Sequence, residues 1–212
     1  MSEIDPHLVS LTAPTSNEAE HYRKLRNAIE GLGKDGGARV IAVSSPSGGE
    51  GTTITAINLA GALAQAEDRR VLLLDADLRS SPMAQRLGLQ RQRGLSAAIA
   101  SGAELESAVI RLPETNLAVL LAGAAPQAPY EMLRSAHFRE LLAQARRQYE
   151  FVVIDAPPVL SFADCRLIAD LVDGFVLVVA AHRTPRRSIE EAVRVVGPDN
   201  ILGFVLNAVD AA

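Results

Sequence analysis

Residues 45–53 read Ser45-Pro46-Ser47-Gly48-Gly49-Glu50-Gly51-Thr52-Thr53. Glycines at this density let backbone N–H groups approach phosphate oxygens with no Cβ in the way. The run matches a phosphate-binding loop except at two positions. Such loops close on Gly-Lys-Ser/Thr; here Thr52 stands where the lysine belongs, and Pro46 replaces the first glycine. Thr53 keeps the hydroxyl that ligates magnesium in sites of this kind. Taken alone, the run could equally be an ordinary strand-to-helix turn.

Carboxylates add a second chemistry. The run Val71-Leu72-Leu73-Leu74 ends in Asp75-Ala76-Asp77-Leu78-Arg79. Asp75 and Asp77 are two apart, so on an extended chain they face the same side. At the carboxyl edge of a parallel sheet that is where ligands bind. Two like charges there suit a magnesium ion or a proton-accepting role. A single Asp would fit a helix cap; the pair followed by Arg79 fits one less well. Phe151-Val152-Val153-Ile154-Asp155 repeats the pattern. Four apolar residues ending in a carboxylate form the Walker B pattern, which places that carboxylate near the metal.

These groups need strand ends and a helix start to hold them. Six short apolar runs, at 40–43, 71–74, 117–121, 151–154, 175–179 and 202–206, are rich in β-branched residues and do not alternate. That predicts strands covered on both faces. Helical stretches at 53–66, 81–87, 95–109, 129–148, 163–171 and 185–196 separate most of them. The alternation predicts an α/β fold, a mainly parallel sheet with helices on both faces. A strand over 39–44 runs into the glycine loop and a helix opens at Thr52 and Thr53, so its free N–H groups and positive dipole end face the same point. Residues 1–14, with Pro6 and Pro14, read as a flexible leader and 15–212 as one domain. A first helix is predicted from near Thr15, which with Glu18 fits a capping box. Tyr22, Leu25, Ile29 and Leu32 form its apolar stripe, and Gly31, Gly33, Gly36 and Gly37 end it.

Composition narrows the classes. The chain has 212 residues, enough for a sizeable core, and a formal net charge of −4, which argues against general nucleic-acid binding. Cys165 is the single cysteine, so no disulfide framework or iron–sulfur site is expected; a small core residue is the simplest role for it. The N-terminus lacks the basic and apolar regions of a signal peptide. The apolar runs are strand-sized, so direct membrane insertion is not expected.

The carboxylate motifs carry a family resemblance. Asp75-Ala76-Asp77-Leu78-Arg79 resembles the Walker A′ motif of the bacterial tyrosine kinases (BY-kinases). Asp155-Ala156-Pro157-Pro158 resembles their Walker B, and Glu20-His21-Tyr22-Arg23-Lys24-Leu25-Arg26 their ExxRxxR motif. Gly94-Leu95-Ser96, Leu121-Ala122-Gly123 and the final apolar run ending at Asn207 follow in the family's order. These kinases belong to the MinD/ParA-like branch of the P-loop NTPases. The resemblance implies that Gly48, Gly49, Glu50, Gly51, Thr52 and Thr53 cradle ATP or ADP, and that Thr53, Asp75 and Asp155 act at magnesium. It implies catalysis by Asp77, as base for a tyrosine hydroxyl, with Asp75 beside it. Asn207 occupies the place that reads adenine in related ATPases, although a turn-forming Asn is an equal local reading. Glu20, Arg23 and Arg26 would dock one subunit on the next. The family further implies a cytoplasmic homo-oligomer recruited to the inner membrane by a polysaccharide co-polymerase, a chain-length determinant protein, in exopolysaccharide or capsule production.

Helix geometry bears on that docking motif. At about 100° per residue, Glu20 and Arg23 point away from the apolar stripe, with Arg26 at its margin. The alternative is an intrahelical Glu20–Arg23 pair worth roughly 0.2–0.5 kcal/mol.

Two features depart from the family. A lysine at position 52 would make charge-assisted hydrogen bonds to phosphate, each worth about 1.5–3 kcal/mol in binding, and its loss from a transition state costs roughly 10²–10³ in rate. The chain's lysines are Lys24 and Lys34, both upstream, which leaves Arg79 or a neighbouring subunit's arginine to compensate. The family's usual tail of clustered tyrosines is also missing: the tyrosines are Tyr22, Tyr130 and Tyr149, and the sequence stops at Ala212. The expectation is a degenerate kinase, or pseudokinase, that binds ATP weakly and transfers no phosphate. An active autokinase with a compensating cation is the alternative. A MinD/ParA-like positioning ATPase is a third, against which the ExxRxxR motif speaks.

Overall fold

The structure is a computed structural model that describes residues 3–32, 40–67, 69–90 and 94–208. Gly33, Lys34, Gly36, Gly37, Arg39 and Ala212 therefore lie outside the described residues.

Seven strands form one sheet. They are β1 (Val40–Ser44), β2 (Val71–Asp75), β3 (Ile110–Arg111), β4 (Leu117–Leu120), β5 (Phe151–Asp155), β6 (Gly174–Ala180) and β7 (Ile201–Asn207), in the order β3-β4-β2-β5-β1-β6-β7. All neighbours are parallel except β3, which pairs antiparallel with β4. The six apolar runs each form a strand. Only β3 was not legible, because two residues carry no periodicity.

The helices are α1 (Val9–Thr12), α2 (Asn17–Gly31), α3 (Thr52–Ala64), α4 (Met83–Arg86), α5 (Leu95–Ser101), α6 (Pro129–Arg134), α7 (Ala136–Gln148), α8 (Asp164–Ala169) and α9 (Arg186–Val196). They cover both faces of the sheet. Alternate residues of β1 show why its sequence does not alternate: Ile41 and Val43 face a core with α2, α3 and α4, whereas Val40 and Ala42 face a core with α5 to α9. Every residue of β1 and β2 is buried. The predicted helix 129–148 is broken at Ser135, whose extended backbone and Oγ, accepting from the Phe138 N–H, cap α7. The predicted helix 95–109 stops at Gly102, which takes the left-handed conformation at φ 65°.

The N-terminal segment differs from the flexible leader expected over 1–14. Leu8 is fully buried, and α1 packs on α3 so closely that a Cβ on Gly61 would press on Ser10 and Leu11. The fully buried Asn58 ties the segment down: its Oδ1 accepts from the Ser10 N–H at 2.9 Å and its Nδ2 donates to the His7 carbonyl at 2.9 Å. The reason is the apolar composition of α3, whose outer side needs a cover.

In α2 the N-cap is Ser16, which accepts from the Ala19 N–H, rather than Thr15. Ile29 is buried and Leu25 packs beside it, but Leu32, at the helix end, is 52% exposed.

Candidate functional site

β1 delivers the chain into the loop at Ser45, and α3 starts directly after Gly51. Two turns require glycine: Gly49 has φ +79° and Gly51 φ +93°. Gly51 also lies against Asn207, whose side chain a Cβ would strike. With no Cβ on these residues, the loop backbone and the first N–H groups of α3 open onto a cleft of about 390 Å3.

Of the expected cofactor-binding residues, Gly48, Gly49, Gly51, Thr52 and Thr53 line this cleft. Glu50 and Asn207 stand behind the loop instead. The buried Glu50 carboxylate accepts from the Thr184 hydroxyl at 2.6 Å and the Ser47 N–H at 3.2 Å. Asn207 Nδ2 donates to the Glu50 carbonyl at 2.9 Å. Both side chains hold the loop in shape, and Thr184, 134 residues from Glu50, gave no sequence signal of this role.

At Thr52 the polarity turns inward. Its hydroxyl donates to Ser45 Oγ at 2.8 Å, and the Ser45 hydroxyl donates to the Ser47 carbonyl at 2.7 Å. The side chain that would be a cation in a complete motif closes the loop on itself.

The carboxylates converge from adjacent strands. Asp75 and Asp155 are direct partners in the β2–β5 register, at the strand ends beside the loop. Asp77 and Asp155 line the cleft. Asp77 Oδ1 accepts from the N–H groups of Arg79 and Ser80, so it caps the turn as well as facing the cleft. Asp75 Oδ2 accepts from the Ala122 N–H at 3.2 Å, while Asp75 Oδ1 and Asp155 Oδ2 are buried with no hydrogen-bond partner. Burial, with added repulsion from Asp77, pushes Asp75 up to about 7. Burial and the Asp75 charge push Asp155 well above the carboxylate range, opposed by the Thr53 hydroxyl and the Arg86 charge.

Unpaired buried oxygens are costly, and a hard cation satisfies them. The donors here are all oxygens, Asp75, Asp155 and the Thr53 hydroxyl, which suits Mg2+. Among the described residues, no group of three or more His, Cys, Asp or Glu could hold a metal ion by itself. Magnesium in nucleotide sites takes its remaining ligands from phosphate and water, so the residues present fit it.

Arg79 does not reach toward the missing lysine. Its guanidinium pairs with the fully buried Asp164 and lies over the Phe162 ring, 4.1 Å from the centroid. Asp164 is 85 residues away in sequence and nothing local announced it. The cation that does line the cleft is Arg86, seven residues past Arg79 and unmarked by any motif.

The ExxRxxR side chains are engaged within the subunit. Arg23 pairs with Glu20 and donates to the Pro14 carbonyl at 2.9 Å. Arg26 pairs with Glu30 at 2.8 Å and reaches the Ala62 carbonyl at 3.2 Å. Glu20 and Arg23 remain 47% and 35% exposed. Cys165 is a buried core residue whose thiol donates to the Pro157 carbonyl at 3.1 Å.

Comparison with known proteins gives this arrangement a family. The AAA domain family profile matches residues 38–182. Tyrosine-protein kinase YwqD of Bacillus subtilis is 32% identical over 208 residues, 97% of this chain and 87% of that protein. The putative tyrosine-protein kinase EpsB of Ralstonia solanacearum is 31% identical over 96% of this chain. The succinoglycan biosynthesis transport protein ExoP of Rhizobium meliloti is 31% identical over 95%. The chain spans only 27% and 26% of the length of these last two. Among solved structures, the chimerical protein CapA2B2 superposes with a TM-score of 0.90 and 27% identity, covering 98% of this chain and 93% of that one. The glycine loop, the paired strand-end carboxylates and a likeness to tyrosine kinases along nearly the whole chain have one explanation: the chain belongs to the bacterial tyrosine-kinase family of P-loop ATPases.

Proposed function

We propose that the protein is a kinase-derived regulatory subunit of exopolysaccharide or capsule assembly. It binds Mg-ATP or Mg-ADP weakly and transfers little or no phosphate to tyrosine. The observation that carries this reading is Thr52, whose hydroxyl is spent on Ser45 within the loop where a complete site presents a lysine to the β- and γ-phosphates. The rest of the cradle is intact: Gly48, Gly49 and Gly51 open the backbone, and Thr53, Asp75 and Asp155 supply oxygens for magnesium, the ion that neutralises phosphate charge when bound. Asp77 faces the cleft as the candidate base. Two of the described tyrosines are poor acceptors, because Tyr149 is buried and Tyr22 is half-buried beside Thr55 and Asn58 of α3, which leaves the half-buried Tyr130 on α6 as the more accessible one.

The place in polysaccharide assembly comes from kinship with a succinoglycan biosynthesis transport protein. A membrane polysaccharide co-polymerase is the partner that fits, since no described helix is long and apolar enough to cross a membrane. In this reading subunits associate through the exposed Glu20 and Arg23, with Arg26 bracing α2 against α3 from beneath.

The test is phosphotransfer by the purified protein with Mg-ATP. No phosphotyrosine is expected, and Thr52→Lys is expected to raise activity. An ATP-dependent phosphotyrosine signal in the unaltered protein, absent from Asp77→Ala, would remove the pseudokinase reading. For assembly, Arg23→Ala with Arg26→Ala should lower the mass measured by light scattering; an unchanged mass would remove the proposed docking role.

A further inference from the structure

The loop lacks its lysine, yet the cleft does not lack a cation. Among the described residues that line it, Arg86 is the one positive side chain, and it shares the lining with Thr52, Thr53 and Asp155. Thr53 and Asp155 mark the metal end of the site, where the terminal phosphates of a nucleotide lie. Arg86 is at the end of α4, anchored by the fully buried Met83.

Its setting is built from the N-terminal segment. Arg86 Nη1 donates to Asp5 Oδ2 at 2.5 Å, and the Asp5 N–H donates to the Arg86 carbonyl at 2.8 Å. The other Asp5 oxygen accepts from the His7 N–H at 2.9 Å. Asp5 is in turn fixed by the Leu8 and Asn58 anchorage of residues 7–12 on α3. This clamp uses one corner of the guanidinium. Arg86 Nε is buried with no hydrogen-bond partner, a donor left unsatisfied beside a cleft suited to anions. A guanidinium has five N–H donors in a planar fork that matches phosphate, so pairing with Asp5 leaves donors for a ligand. The Arg86 charge is already felt at Asp155.

We propose that Arg86 supplies the positive charge missing at Thr52, and that Asp5 is a positioning residue that holds it toward the terminal phosphates of a bound nucleoside triphosphate. The assignment rests on the nucleotide-binding reading above. It explains how a loop without lysine retains nucleotide, and it makes the N-terminal segment part of the site. Arg86 comes from α4, not from the loop, so it supports binding without restoring the lysine's place in phosphoryl transfer.

The experiment is calorimetric titration of the whole chain with Mg-ATP and Mg-ADP. A lost charge-assisted hydrogen bond corresponds to about a tenfold to hundredfold weaker Kd. Arg86→Ala should lose that much for Mg-ATP and less for Mg-ADP, and Arg86→Lys should recover part of it. Asp5→Asn loosens the clamp but keeps the cation, so its loss should be clearly smaller. If Arg86→Ala does not fold, Arg86→Gln, which keeps a donor for Asp5 and drops the charge, carries the test. Should the unaltered protein bind Mg-ATP and Arg86→Ala bind it equally well, or no worse than Asp5→Asn, Arg86 is only a tether and the proposal is overturned. Absence of Mg-ATP binding by the unaltered protein would overturn the nucleotide reading and the Arg86 assignment together.

Discussion

Replacing Asp75 by Asn should stabilise the metal-free protein, although Asp75 is one of the candidate magnesium ligands beside Asp155. Asp75 is 1% exposed, has an unpartnered Oδ1, and sits beside Asp155 in the strand register. Burial pushes it from 3.8 to about 7. A carboxyl whose folded value is raised contributes fully below the unfolded value, and that contribution is lost as pH rises through the folded one. Above about pH 7 the folded protein therefore carries a charge it cannot solvate. The span from 3.8 to about 7, at about 1.4 kcal/mol per pH unit, sets an upper limit of roughly 4 kcal/mol. Asn keeps the acceptor for the Ala122 N–H and removes the repulsion on Asp155, so about 2 kcal/mol is the working expectation. For a chain of this size that is roughly 4–8 °C in Tm. The assay is thermal unfolding in chelator at pH 8.0 and pH 5.5. Asp75→Asn should melt higher at pH 8.0 and keep only about half of that advantage at pH 5.5, where the folded Asp75 is protonated but the unfolded one is still ionised. Equal melting at pH 8.0, or the same gain at both pH values, would refute the claim that charge burial at Asp75 is an energetic cost met by a cation.

Gly51→Ala should be damaging out of proportion to its size. The left-handed backbone costs an L-residue about 1–2 kcal/mol and the new Cβ meets Asn207, so Tm should fall and Mg-nucleotide binding weaken; normal binding would mean the loop is not the cradle. Leu8→Ala empties a fully buried site and should destabilise by about 2–5 kcal/mol in denaturant unfolding; a loss under about 0.5 kcal/mol would show that residues 1–14 are a loose leader after all. Burial pushes the Cys165 thiol up to about 12, so alkylation by iodoacetamide at pH 8 should be negligible in the native state and rapid in denaturant, as read by mass spectrometry. Fast native labelling would place Cys165 outside the core.

The sequence alone was sufficient for six of the seven strands and for placing carboxylates at the ends of two of them. Strands buried on both faces must be apolar throughout, so β1, β2 and β5 show as continuous runs, and Asp75 and Asp155 are the residues that end β2 and β5. The glycine loop is likewise local, because its conformation depends on side chains that are absent. What tertiary structure decided are the polar partnerships between distant segments: Arg79 with Asp164, Glu50 with Thr184, Asn207 with the Glu50 carbonyl, and Arg86 with Asp5. Such pairs have no period and no spacing rule, since they arise only when crossover connections bring separate strand ends together. For the same reason Thr52 could be recognised from sequence as a missing charge, while the arginine that shares its cleft could be found only in the fold.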